Sequence, residues 1–242
     1  MREGIGYQFQ LETKYQREPY SLGALERQQK AESLKEILVD KMISLPKPDR
    51  DDGWPLWKAI DKRRSLRDFV RKPISLAALS QILWAAQGIS LKGRDFSLRT
   101  NPSAGALYPI EIYVSAQAVE SLTAGLYHFL PAAQALRMKY EGDFGQALAD
   151  AALNQEFLAE ASCILLLTAV FEKTTWKYGA RGFRYIYLDA GHIAQNAALA
   201  AVSLELGTCP VGAFFDDEIN SLLGVNPAKE SIVYLLAVGW PR

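Results

Sequence analysis

From about residue 184 to 206 the chain is apolar around nearly a whole helical circumference, with Ile186, Leu188, Ile193, Ala194, Ala197, Ala198, Leu199, Ala201, Val202 and Leu204. A helix of that kind has no solvent face and must be covered on every side. Its many alanines allow a partner to come close. The pattern leaves open whether that partner is the chain's own core or the same helix of a second copy. Continuous apolar runs at 162–170 and 232–238 lie before and after it and read as central strands.

The remaining elements are of both kinds. Residues 56–62 read as a short helix, and Ser75 is placed to cap a helix carrying Leu79, Ile82, Leu83 and Ala86. Ile110, Ile112 and Val114 alternate with Glu111, Tyr113 and Ser115, which predicts a half-buried strand. A hairpin follows, 125–129 and 135–138 around a turn at Pro131. Residues 63–73 read as a basic turn and 90–107 as a loop. Leu25, Leu34, Ile37, Leu38 and Ile43 predict one or two amphipathic helices between about 22 and 44, and the polar 46–53 stretch, broken by Pro46 and Pro48, reads as a linker. The organisation is therefore a helical extension with linker, 1–53, and a main domain, 54–242. Helices and strands mix without a βαβ rhythm, so the class is α+β.

Composition removes several functions. Lys+Arg and Asp+Glu both number 27, and a zero net charge is not the footprint of a nucleic-acid binder. With 49% hydrophobic and 22% charged residues the chain is ordinary globular protein. Two cysteines and two histidines are too few for a disulfide framework or a zinc ribbon, and no metal site is expected. His128 is placed on a strand face and His192 inside the long helix. The longest apolar run, 161–171, is about half of the roughly 20 residues a membrane-spanning helix needs. No signal-peptide pattern follows Met1, and a cytoplasmic protein is expected.

Three segments carry chemistry. Arg63-Arg64-Ser65-Leu66-Arg67 sets three guanidiniums and a hydroxyl within five residues, enough to grip a dianionic phosphate, although the same pattern also describes a solvated basic turn. Pro102-Ser103-Ala104-Gly105-Ala106-Leu107-Tyr108-Pro109 and Thr208-Cys209-Pro210-Val211-Gly212-Ala213-Phe214 are small-residue stretches that let backbone approach a flat ligand, or simply turn tightly. No Rossmann glycine fingerprint, P-loop or nucleophile elbow is present.

Together these segments resemble the nitroreductase superfamily of FMN-dependent oxidoreductases over roughly 55–240. With Asp189-Ala190-Gly191-His192-Ile193-Ala194-Gln195-Asn196, they look most like its azoline-dehydrogenase (SagB-type) branch. The resemblance implies a nitroreductase-like α+β fold, with a central mixed or antiparallel sheet flanked by helices in an intertwined homodimer. By the same resemblance, Arg63, Arg64 and Ser65 hold the FMN phosphate and ribityl chain, and Arg67 approaches the flavin pyrimidine edge. Pro102, Ser103, Ala104 and Gly105 complete the partner's site, and Pro210, Val211, Gly212 and Ala213 lie against the ring. Where many members supply a Lys-x-Arg pair after the last strand, only Arg242 is available here. Lys177-Tyr178 stands at the place of the branch's catalytic Lys-Tyr pair, in a 173–182 stretch that reads as a partly exposed loop.

The expected activity is hydride transfer between FMN and a small or peptide-borne substrate, as in oxidation of azolines to azoles, with NAD(P)H as reductant or O2 as acceptor. Two alternatives stand beside it. One is a generalist NAD(P)H-dependent nitro or quinone reductase; the other is a flavin-binding scaffold subunit of a peptide-modifying complex. Expected partners are a second copy and peptide-modifying enzymes, with neither nucleic acid nor membrane.

Overall fold

A computed structural model describes residues 4–16, 41–94 and 96–242. Its frame is a sheet of eight strands in which β1 (Met42–Ser44), β7 (Ala135–Glu141), β6 (Gly125–Leu130), β5 (Ile110–Ala116), β8 (Cys163–Val170), β10 (Glu230–Pro241) and β2 (Phe69–Val70) lie side by side, and β9 (Gly207–Val211) also pairs with β10. Every pairing between these strands is antiparallel. A separate hairpin, β3 (Ile89–Lys92) with β4 (Ser97–Arg99), occupies part of the stretch read as a loop.

The two apolar runs are β8 and β10, neighbours at the sheet centre and buried along most of their length. On one face the sheet packs beneath the helices Leu76–Gln87 and Gly182–Ser203, through Ile110, Ile112, Leu165 and Leu167 against Ile82, Ile186 and Ile193. On the other face the helices Gly145–Ala151 and Asp216–Leu223 cover Ile164, Leu166 and Leu235 with Phe144, Leu148 and Leu222. Ser75 caps its helix as expected, its Oγ accepting from the Ala78 N–H at 3.1 Å. The Gly182–Ser203 helix has no side-chain cap at its start. Packing holds it instead, each buried isoleucine contributing about 1.5–3 kcal/mol.

Several expectations change. The long helix is not covered on all sides within one chain. Arg184, Leu188, Gly191, His192 and Gln195 face outward, and Leu188 is 53% exposed, so His192 is a surface residue rather than an internal one. The helices expected at 22–44 lie mostly outside the described residues, but Met42–Ser44 is strand β1, paired with β7. Strand β5 is buried on both faces, because Glu111 and Tyr113 find polar partners beneath the covering elements. The extension also contains a helix, Ile5–Glu12, lying on the start of the long helix. There Gly6 passes so close to Phe183 that a Cβ would stand 2.5 Å from its ring. Among the described residues no helix is long and apolar enough to cross a membrane.

Candidate functional site

The 63–67 segment leaves the helix Leu56–Lys62 and runs beside β9. Ser65 forms a parallel bridge with Thr208, and the Leu66 N–H donates to the Thr208 carbonyl at 2.8 Å. Glycine at 207 eases this approach, since a Cβ there would sit 3.0 Å from the Leu66 side chain and 3.2 Å from that of Phe69. Two segments far apart in sequence, 63–67 and 208–213, thus become neighbours. Arg242 joins them, though its charge is committed: Nε meets Asp68 at 2.8 Å and the guanidinium also donates to the Phe69 carbonyl at 3.2 Å. Arg64 turns back onto the carbonyls of Asp61 and Arg63. Arg63 and Arg67 have no carboxylate in ion-pair contact among the described residues, so both charges are open to an anion. Burial pushes the Cys209 thiol up, against the opposing field of Arg67, which places that arginine beside β9.

The third segment lies elsewhere. Ser103 Oγ donates to Asp189 on the long helix at 2.5 Å and accepts from the Tyr108 N–H at 3.0 Å. Asp189 is 4% exposed, and burial raises its pKa against the hydrogen bonds from Ser103 and the Ala104 N–H. Around this clamp the backbone takes left-handed φ values of 64° at Gly105, 54° at Ala106 and 48° at Tyr108. Non-glycine residues adopt that region at a cost of about 1–3 kcal/mol each, and such strain persists only where the surroundings dictate it.

Lys177 and Tyr178 meet this turn. They end the helix Glu172–Tyr178, not a loop; Thr174 and Thr175 are buried beneath it. A Cβ on Gly105 would stand 2.8 Å from Tyr178 Oη and 2.9 Å from Lys177 Nζ. Tyr178 rests edge-on against Tyr185, and Lys177 Nζ lies 5.4 Å from the Tyr178 ring centre. The arrangement brings an amine and a phenol to the one glycine of the 102–109 turn.

One chain therefore carries two clusters. The first, 63–67 with 208–213 and Arg242, sits past the C-terminal end of the long helix. The second, 102–105 with Lys177 and Tyr178, sits beside Asp189. Roughly 20 Å of helix separates Asp189 from Ser203, and the outward stripe of Arg184, Leu188, His192 and Gln195 runs along the N-terminal part of the same helix. Sequence reasoning gave no role to Asp189, Glu111 or Lys173. A lone acid on an apolar helix was the available signal for Asp189.

The profile of the nitroreductase family matches residues 60–240. A protein of Methanocaldococcus jannaschii, provisionally named a nitroreductase, is 43% identical over 178 residues, covering 74% of this chain and 87% of that protein. The microcin B17-processing protein McbC of Escherichia coli is 34% identical over 120 residues, 45% of this chain and 42% of McbC. Among solved structures, a provisionally named nitroreductase of Anabaena variabilis superposes with a TM-score of 0.72 at 32% identity, over 84% of this chain and 42% of that one. The E. coli microcin synthetase McbBCD complex with truncated pro-MccB17 shares the fold, with a TM-score of 0.68 at 22% identity over 97% of this chain and 91% of that one. The chain thus spans less than half the length of McbC and of the Anabaena protein. Family profile, fold and the juxtaposed arginine and small-residue segments agree, and the chain belongs to the nitroreductase family of oxidoreductases.

Proposed function

We propose that the protein is an FMN-dependent oxidoreductase, active as a homodimer, that oxidises a heterocycle such as a thiazoline or oxazoline carried on a peptide. The observation that carries this reading is the convergence of Lys177 Nζ and Tyr178 Oη on Gly105, at a strained turn pinned by Asp189. The residues fit the cofactor. Arg63 and Arg67 are cations without a carboxylate partner among the described residues, held beside a loop where a Cβ on Gly212 would make only an ordinary contact with the Tyr234 ring, at 4.0 Å. Arg63 and Ser65 would hold the phosphate and ribityl chain. Arg67 would face the pyrimidine edge, and Pro210, Val211, Gly212 and Ala213 would line the ring. Arg64 and Arg242 are turned to the protein's own backbone and to Asp68, and they shape the segment rather than offer free charge. Bound FMN supplies a two-electron acceptor for hydride. Lys177 or Tyr178 would take the ring proton that leaves with it, and O2 would be the terminal electron acceptor.

One cluster lies past the C-terminal end of the long helix and the other beside Asp189. In a dimer built on the outward stripe, 102–105 of one copy would complete the cluster of the other. Domains 1–53 and 54–242 are read as docking extension and catalytic body, and the likeness to McbC supports peptide-modifying enzymes as partners in the cytoplasm. The Methanocaldococcus relative favours a second reading, a general NAD(P)H-dependent nitro or quinone reductase.

One experiment separates the two. Lys177→Ala and Tyr178→Phe should stay yellow, release FMN on denaturation and keep quinone reduction. Both should lose about 10²–10⁴ in turnover of a thiazoline peptide, the usual contribution of a positioned acid or base. Equal loss of both activities would place the pair in flavin binding or folding. Quinone turnover without any peptide turnover in the wild type would favour the general reductase.

A further inference from the structure

Strand β5 carries one carboxylate, Glu111, on the face opposite Ile110 and Ile112. Its side chain is 18% exposed and takes two partners: Lys173 pairs with Oε1, and His128 Nε2 lies 3.0 Å from Oε2. Behind it His128 stacks on Tyr113 at 4.7 Å. The Tyr113 hydroxyl donates to Glu230 at 3.0 Å, and Thr168 donates to the same oxygen at 2.6 Å. Burial opposes the Glu111 charge, but the bonds from His128 and Lys173 overcome it and hold the carboxyl down at about 2. It is therefore an anion at every working pH.

The surrounding cations come from both halves of the Lys177 cluster. Lys173 lies on the helix Glu172–Tyr178, one turn before Lys177. Arg99 stands at the end of β4, just before the 102–105 turn. Burial disfavours its charge and the field of Glu111 restores part of it. Its guanidinium lies 4.7 Å over the Tyr108 ring, and the Arg99 N–H donates to Tyr108 Oη at 3.1 Å. One carboxylate thus faces the helix that presents Lys177 and Tyr178 and the segment that presents Gly105.

We propose that Glu111 is a positioning residue: through Lys173 it fixes the helix Glu172–Tyr178 on the sheet and so sets Lys177 and Tyr178 against Gly105. It also neutralises Lys173, which would otherwise stand as a like charge four residues from Lys177. The consequence for turnover rests on the reading that Lys177 and Tyr178 act on substrate; the consequence for Lys177 itself does not.

The test compares FMN-loaded wild type with Glu111→Gln, Lys173→Met, the double variant and Lys173→Arg. Competitive acetylation of Lys177 is measured against Lys62 as internal reference, alongside kcat and KM on a model peptide bearing one thiazoline. In Glu111→Gln and in Lys173→Met, release of the helix should make Lys177 acetylate about 2- to 10-fold faster, and in Glu111→Gln the unpaired Lys173 adds a like-charge contribution at that helical spacing, which sets the lower bound for that variant. The double variant should go no further, because the two residues act as one unit. Lys173→Arg should restore wild-type labelling. Peptide kcat should fall at least tenfold in step with labelling, KM should change little, and FMN content and quinone reduction should hold. Unchanged Lys177 labelling, or additive effects of the single variants, would overturn the proposal. Should Glu111→Gln fail to fold, Lys173→Met alone decides through the same labelling. Labelling that shifts as expected with no peptide turnover in any form would keep the positioning role and remove the substrate reading.

Discussion

Ser103 and Asp189 stand 86 positions apart and share the shortest neutral-to-acid contact of the candidate site. Asp189 is almost fully buried, and its charge is tolerated because Ser103 and the Ala104 N–H donate to it. Ser103→Ala strips Asp189 of one donor and the Tyr108 N–H of its acceptor. Leaving such groups unpaired costs about 1–3 kcal/mol. Urea denaturation should show a loss of that size, together with lower retention of FMN; an unchanged midpoint would mean the turn holds itself. Asp216 gives a pH test away from the site. Its carboxyl is pushed from its ordinary 3.8 to about 6, chiefly by burial, with its own backbone N–H and Lys14 opposing and Asp217 adding. A raised acid binds its proton more tightly in the folded state. Its contribution to stability is therefore complete below about pH 4 and is lost as pH rises through about 6. Asp216→Asn removes that loss. Its stability relative to wild type should grow between pH 4 and pH 7 by about 1 kcal/mol, a figure discounted because the group is partly exposed. A difference that stays flat across that window would contradict the assignment.

Among elements, the long helix is the most instructive. Its apolar residues were legible, but the pattern overstated its burial. Ala190, Ala194, Ala197 and Ala201 do join the core, but Leu188 is left on the surface and Leu199, Val202 and Leu204 are only partly buried. The stripe around Leu188 is where a second copy is expected. Leu188→Arg should leave the monomer folded, since the residue touches no core, and should shift light scattering from dimer to monomer with loss of FMN. A dimer that survives would move the interface elsewhere. Strand β1 was missed because three residues carry no period, and the edge of β7 determines their conformation rather than their own sequence. The Lys177 helix was missed for the opposite reason. Thr174, Thr175 and Gly179 have loop propensities, but Thr174 is 1% exposed and lies under Gly182, so tertiary packing overrides them. The central strands, the hairpin at Pro131 and the Ser75 cap were readable because each rests on local pattern.

At the scale of the molecule, the three small-residue and arginine segments were legible one by one, and the structure joins 63–67 to 208–213 as their chemistry requires. Their distribution into two clusters was not legible from residue pattern. It depends on a helix of known length and on hydrogen bonds between residues far apart in sequence. The ionic hub at Glu111 was equally hidden, because Glu111, His128 and Lys173 each look like ordinary surface polar residues until the sheet is folded.

The central claim is that each flavin site is shared between two chains, and subunit complementation tests it directly. Arg63→Ala removes a cation from the first cluster. Gly105→Val fills the second, at a φ of 64° and against Tyr178. Each variant alone should hold little FMN as a homodimer. When the two are co-expressed, half of the dimers should be mixed, and each mixed dimer should contain one site built entirely from wild-type segments. Bound FMN per chain should therefore recover to about one quarter of the wild-type value. Recovery to that level is the predicted result; occupancy no higher than in the separate homodimers would show that each site lies within a single chain.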